Sequence, residues 1–209
     1  FSSDATFFLK KQLKYKKICQ FCPESKRQTS TYTRGMQQIQ WRKMGPQDGE
    51  LLEQIGRQTY EPYYPHIWHE GGMEWYMQRC FSQKSLQKDF SDPNIEYYLP
   101  VDAEGNIIGL LKLGLQKPLP ESSLRNALYL EKIYLLPAYF GKGYGQIIIE
   151  QVVEKAQTLG REAVWLVVME HGPVQVYEKA GFKQYGMVDF EFEQLLPNQR
   201  KGYTMLRYI

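Results

Sequence analysis

Leu51, Leu52 and Ile55 fall at the three-to-four-residue spacing of one helix face, and the pattern runs through to Tyr60 after an acidic first turn. Before it, Ile39 to Met44 alternates apolar and polar residues as a half-buried strand does. Met73, Trp75, Tyr76 and Phe81 predict a second helix, and a third, short one around Leu86 stops at Asp92-Pro93. The runs 95–101 and 106–114, joined by Asp102-Ala-Glu-Gly-Asn106, predict a β-hairpin. A long strand follows over 127–136, then a glycine-rich stretch and a helix over 145–160, for which Gly160 is a natural stop. Residues 163–169 are apolar throughout and predict a strand buried on both faces. A short helix over 173–181 and closing strands over 182–193 and 203–209 complete the chain. Helices and strands in this order predict a mixed α/β sheet with helices on its faces, without the strict βαβ alternation of a doubly wound fold.

Composition narrows the class. A chain of 209 residues with 43% apolar and 14% aromatic residues is long and apolar enough for one domain with a real core. No run approaches the roughly 20 apolar residues of a membrane helix, and no secretory pattern is evident. Three cysteines (Cys19, Cys22, Cys80) imply no disulfide framework, so a cytoplasmic protein is expected. Of the net charge of +3, residues 1–35 carry +6 and the remainder −3. This basic stretch reads as a solvated extension rather than a nucleic-acid-binding arm. The compact domain is expected over 36–209, starting near Met36. Cys19-Gln-Phe-Cys22 has half the spacing of a zinc site, but no second ligand pair follows, and His66 and His69 lack a third ligand, so no metal is expected.

The chemistry centres on Tyr-Phe-Gly-Lys-Gly-Tyr-Gly, residues 139–145, between a strand and a helix. Such a turn is an anion cradle, where amides converge and the helix dipole favours negative charge. A Walker motif would need Ser or Thr after Gly141-Lys142, and Gly143 stands there. A dinucleotide fingerprint would need its third glycine at Gln146, and Glu162 precedes the strand whose end should carry the acidic residue.

Phe140-Gly-Lys-Gly143-Tyr-Gly145 instead resembles the pyrophosphate motif of the GNAT family of N-acetyltransferases. The likeness covers about 36–209. Its specific part is 127–186, where strand, glycines and helix are followed by a strand and by Tyr177-Glu-Lys-Ala-Gly-Phe182. Two departures are visible. Phe140 replaces the usual Arg or Gln, and the segment from Met169 to Tyr177 is about two residues short. The resemblance implies a mixed, mostly antiparallel sheet of six to seven strands flanked by helices, and acetyl transfer from acetyl-CoA to a primary amine in a ternary complex. It implies cofactor contacts from Ile133, Tyr134 and Leu135 and from Phe140, Gly141, Lys142, Gly143, Tyr144, Gly145 and Gln146. Tyr177 is implied as the acid that protonates the leaving thiolate. Glu131 is the candidate base, directly or through water, with exposed strand packing as its alternative and His171 as a second candidate. A homodimer through the last strands is implied as well. The two departures also motivate a non-catalytic acyl-CoA sensor of the same fold.

Residues 56–77 are similar to a bacterial subgroup that includes polyamine N-acetyltransferases. Tyr60, Tyr64, Trp68 and Trp75, with Tyr63, Tyr76, Glu61, Glu70 and Glu74 nearby, read either as a pocket for a cationic small-molecule amine or as an aromatic core between two helices.

Overall fold

The computed structural model describes residues 38–209. The basic extension 1–35, Cys19, Cys22 and the expected start at Met36 lie outside the described residues. The strands are β1 (Gln40–Lys43), β2 (Ile95–Val101), β3 (Gly109–Gly114), β4 (Ala127–Leu135), β5 (Ala163–Met169), β6 (Lys183–Asp189) and β7 (Lys201–Tyr208). The helices are α1 (Gly49–Tyr60), α2 (Gly72–Phe81), α3 (Gln83–Phe90), α4 (Tyr144–Thr158) and α5 (Val174–Lys179). Among the described residues the strands form one sheet in the order β1-β2-β3-β4-β5-β7-β6. Every neighbouring pair is antiparallel except β4 with β5, which is parallel and is bridged by α4 as the crossover such a pair requires.

Alternation along the strands divides the core into two clusters. Ala127 and Tyr129 of β4, with Ala163, Trp165, Val167 and Met169 of β5, join a cluster covered by α1, α2 and α3. Leu128 and Leu130, with Val164, Leu166 and Val168, face the other way onto Ile148, Ile149, Val152 and Val153 of α4 and Tyr177 of α5. Both faces of β4 and β5 are thus dry, which is why these strands read as continuous apolar runs.

Two irregularities prepare the site. First, β4 and β5 pair only at Ala127↔Ala163, Leu128↔Val164 and Tyr129↔Trp165, so beyond Tyr129 the strands part and the sheet opens. Second, the β3–β4 register shifts: Lys112 opposes Lys132 while Leu113 opposes Leu130. Glu131 is the extra residue of a β-bulge. Past it the alternation is inverted, so that Tyr134 joins the cluster under α1 and α2, and Ile133 and Leu135 join the cluster under α4.

The last strands differ from the periodicity. A strand is expected over 182–193, but β6 ends at Asp189. Phe190 and Phe192 instead turn into the aromatic cluster, 3% and 6% exposed. Burying two phenyl rings outweighs two more residues of edge pairing. The connection from there to β7 docks on the turn between α1 and α2, with His69 N–H donating to Gln194 O at 2.9 Å and Leu196 N–H to Ile67 O at 3.0 Å.

Candidate active site

β4 passes into a short 3-10 turn, Pro137–Tyr139, and then into the glycines. Gly141 (φ +70°) and Gly143 (φ +88°) are left-handed, a conformation that costs other residues about 1–2 kcal/mol. Gly143 caps α4, and its carbonyl accepts from Gln146 N–H at 3.1 Å and Ile147 N–H at 3.3 Å. The amides of Tyr144 and Gly145 have no partner within the helix, because the first turn of any α-helix lacks acceptors for them. Residues 141–143 are exposed, and a Cβ placed on Gly141 would meet nothing within 4 Å. The exposed turn 141–143 at the head of a 15-residue helix is the kind of place that favours an anion, although Gly145 itself is buried. Lys142 adds a cation, its ammonium 5.9 Å from the centre of the Tyr139 ring. The Tyr139 hydroxyl donates to Asp102 Oδ2 at 3.0 Å and so ties the loop to the β2–β3 turn. Phe140 offers only its backbone here, because its ring packs on Tyr63 at 4.6 Å between centroids.

Tyr177 is fully buried and packs edge-on against Phe182 within the α4 cluster. Burial, and then the neighbouring phenols Tyr64, Tyr134 and Tyr129, push its ionisation well above that of an ordinary tyrosine. Those three rings belong to the cluster on the opposite face. Tyr177 lies on the α4 side of the sheet, on the helix that follows β5 past the point where β4 and β5 part. The contraction after Met169 is absorbed by a tight turn, with Gly172 N–H donating to Met169 O at 2.8 Å, and by Pro173 at the start of α5.

In front of the opening lies an aromatic assembly. Tyr60 packs on Tyr64 at 4.4 Å, Tyr76 at 5.0 Å and Tyr134 at 5.7 Å. Trp68 stacks on Tyr76, and its Nε1–H donates to the Tyr60 hydroxyl at 3.2 Å. The Tyr76 and Tyr134 hydroxyls are hydrogen bonded at 3.1 Å. At the rim, Trp75 lies 5.4 Å from Phe192, and the Arg79 guanidinium sits over both rings. That rim already accommodates a cation. Tyr60 and Tyr76 are fully buried, whereas Trp75 is half-buried.

The carboxylates near these rings are placed outside the assembly. Arg57 gathers Glu53, Glu61 and Glu74, the last through two hydrogen bonds of 2.8 Å. The Arg57 bonds, with one from Gln78, hold the exposed Glu74 carboxyl down at about 2. Its pKa is thus depressed on folding, so this pair supports the fold above the ordinary glutamate range and loses that support as pH falls through about 2. Arg57→Met is expected to return the Glu74 titration to near its ordinary value, about 4.3, as read by carboxyl NMR. The shift in the acid unfolding limb should stay small, because the pair faces solvent. Glu70, His66, His69 and His171 are exposed. Among the described residues no group of three or more His, Cys, Asp and Glu is placed to hold a metal ion, and no helix is long and apolar enough to cross a membrane.

Glu131 differs most from its strand-based expectation. It is 3% exposed, and its Oε1 accepts from Lys112 Nζ at 2.5 Å and Lys132 Nζ at 3.1 Å. Lys112 also meets Asp89 Oδ2 at 2.8 Å, and the Tyr97 hydroxyl donates to the same oxygen at 2.6 Å. Asp89, Lys112 and Lys132 escape a motif-led reading. Their signal is a lone lysine in Gly-Leu-Leu-Lys-Leu-Gly and an adjacent Glu-Lys in an otherwise apolar strand, charges that burial forces to pair.

A glycine turn at the head of a helix thus lies beside a parted parallel strand pair. The chain matches the acetyltransferase (GNAT) family over residues 54–182, more than half its length, and belongs to that family. It is an acetyl-CoA-dependent N-acyltransferase. It is 25% identical over 105 residues to a spermine/spermidine N(1)-acetyltransferase of Bacillus subtilis, a match covering 48% of this chain and 69% of that protein. The fold is shared with PaiA N-acetyltransferase from Thermoplasma acidophilum, solved in complex with coenzyme A (TM-score 0.61, 21% identity, 82% of this chain and 99% of that one). It is shared also with a mutant of the spermidine N-acetyltransferase SpeG from Vibrio cholerae (TM-score 0.58, 19% identity, 82% and 94%).

Proposed function

We propose that this protein transfers the acetyl group of acetyl-CoA directly to a primary amine of a small, cationic, polyamine-like molecule, with both substrates bound at once. The observation that carries this reading is the parting of β4 from β5, with Tyr177 on one face of the sheet and the aromatic assembly on the other. Bound acetyl-CoA supplies an activated acyl carbon and a thiol leaving group. Its diphosphate would be held by the backbone of residues 140–146 and by Lys142. The edge of β4 past Tyr129 is free of β5, so the backbone of Ile133, Tyr134 and Leu135 can pair with the pantetheine arm as a strand would. In this reading the amide near Ile133 polarises the acyl oxygen. Tyr177 protonates the sulfur, whereas Glu131, whose carboxylate is taken up by Lys112 and Lys132, holds β4 rather than taking the amine's proton. Tyr60, Tyr64 and Trp68 are buried and form the floor beneath the half-buried Trp75, whose ring selects a cation as Arg79 over Trp75 and Phe192 already illustrates.

Coenzyme A at one hundred times its dissociation constant should raise stability by about 2.7 kcal/mol, read as a higher melting temperature. A panel of amines with a thiol-release readout then identifies the acceptor. Thermal stabilisation without thiol release from any amine would instead mark an acyl-CoA sensor. No stabilisation at all would remove both readings. A homodimer through the last strands belongs to the same proposal. β6 is the edge of the sheet and exposes Tyr185 and Met187 at 49% and 64%, and the mass in solution tests it.

A further inference from the structure

Asp89, Lys112, Glu131 and Lys132 form a chain of alternating formal charge across α3, β3 and β4, and three of the four are nearly inaccessible to water. Buried ion pairs seldom add stability over apolar residues of the same size, but they do specify one arrangement against others. Here the alternative arrangement is explicit. Glu131 is the bulged residue, and only because of the bulge do Glu131 and Lys132 project to the same face. Continued without the bulge, the alternation from Tyr129 would turn Lys132 and Tyr134 toward α4 and bring Ile133 and Leu135 under α1 and α2. Tyr134 would then lose its hydroxyl contact with Tyr76 and its packing on Tyr60. Lys132 would be driven among Ile148, Val152 and their neighbours.

From this arrangement we infer that Lys112 and Asp89 are positioning residues for acetyl transfer. By clamping Glu131 they hold the β4 bulge, and the bulge sets which side chains and which amides of residues 131–135 face the opening beside β5. The clamp acts through Glu131 and touches neither substrate. The inference rests on the acetyltransferase reading above, but part of its test does not.

The decisive variant is Lys112→Met with Asp89→Asn. Lys112→Met alone leaves the buried Glu131 and the half-buried Asp89 with one ammonium, Lys132, among them, and it lowers stability whatever the clamp does. Adding Asp89→Asn restores formal balance, because Glu131 and Lys132 stay paired. The double variant is expected to keep its melting temperature within a few degrees and its coenzyme A affinity within about threefold, since the phosphate cradle lies beyond the clamp. Turnover should fall about 10- to 100-fold, the scale of a small misplacement of reacting groups. Hydrogen exchange at the amides of residues 131–135 should quicken in the absence of any substrate, a readout that stands even if the acceptor is never found. A balanced variant with turnover within twofold of the parent, or with unchanged exchange in β4, overturns the inference. So does failure of the balanced variant to fold, which would assign the chain of charges to stability alone. Loss of thiol release by the parent protein would instead refute the enzymatic reading and leave the exchange result to judge the clamp.

Discussion

Tyr177→Phe is expected to lower turnover by about 10²–10⁴-fold while leaving the fold and coenzyme A affinity close to those of the parent. The ring is fully buried and packs on Phe182, and phenylalanine keeps that packing while removing only the hydroxyl. What disappears is the proposed proton donor, whose ionisation burial raises well above that of an ordinary tyrosine. The loss should appear in turnover and not in the Michaelis constant for acetyl-CoA, because the interaction matters only as negative charge builds on sulfur. Unchanged single-turnover rates would pass the donor role to water or another group and leave the cofactor site as described.

Gly143→Ala should weaken coenzyme A binding at least tenfold, about 1.4 kcal/mol, and lower the stability of the apo-protein by about 1–2 kcal/mol. At φ +88° the added Cβ strains the residue that caps α4 and whose carbonyl organises the first turn. Any relaxation of that strain moves the amides of Tyr144 and Gly145, which belong to the proposed diphosphate site. Gly105→Ala is the matched control. Gly105 has φ +84° in the exposed β2–β3 turn, so it should cost similar stability with no effect on coenzyme A. Calorimetry on both variants separates strain from recognition. Equal coenzyme A affinity in the two would show that the glycine turn does not hold the phosphates.

The elements came through from the sequence nearly whole. α4 stops where Gly160 takes φ +64°, β5 spans the apolar run 163–169, and the glycine turn joins β4 to α4. These are local matters, in which a period of two or 3.6 residues, a left-handed glycine and a helix cap each act within a few positions. The end of β6 at Asp189 was not legible, because Phe190 and Phe192 leave the strand for a cluster built by residues 60–76. Periodicity along one strand cannot report what a distant helix offers to bury.

Sequence alone therefore determined the order of elements, the glycine turn that starts α4 and, through the motif around it, the family. Tertiary structure decided the rest of the site. Where β4 and β5 part, which face Tyr134 takes after the bulge, and that Glu131 meets Lys112 rather than water all depend on contacts between strands and helices remote in sequence. The aromatic residues of 60–76 can serve as core or as pocket by composition, and only their stacking on Tyr134 and Phe192 sets which rings are buried and which form the rim. The reason is physical. Backbone conformation answers to neighbours a turn away, whereas the placement of charge and aromatic rings answers to whatever the completed sheet brings within about 4 Å.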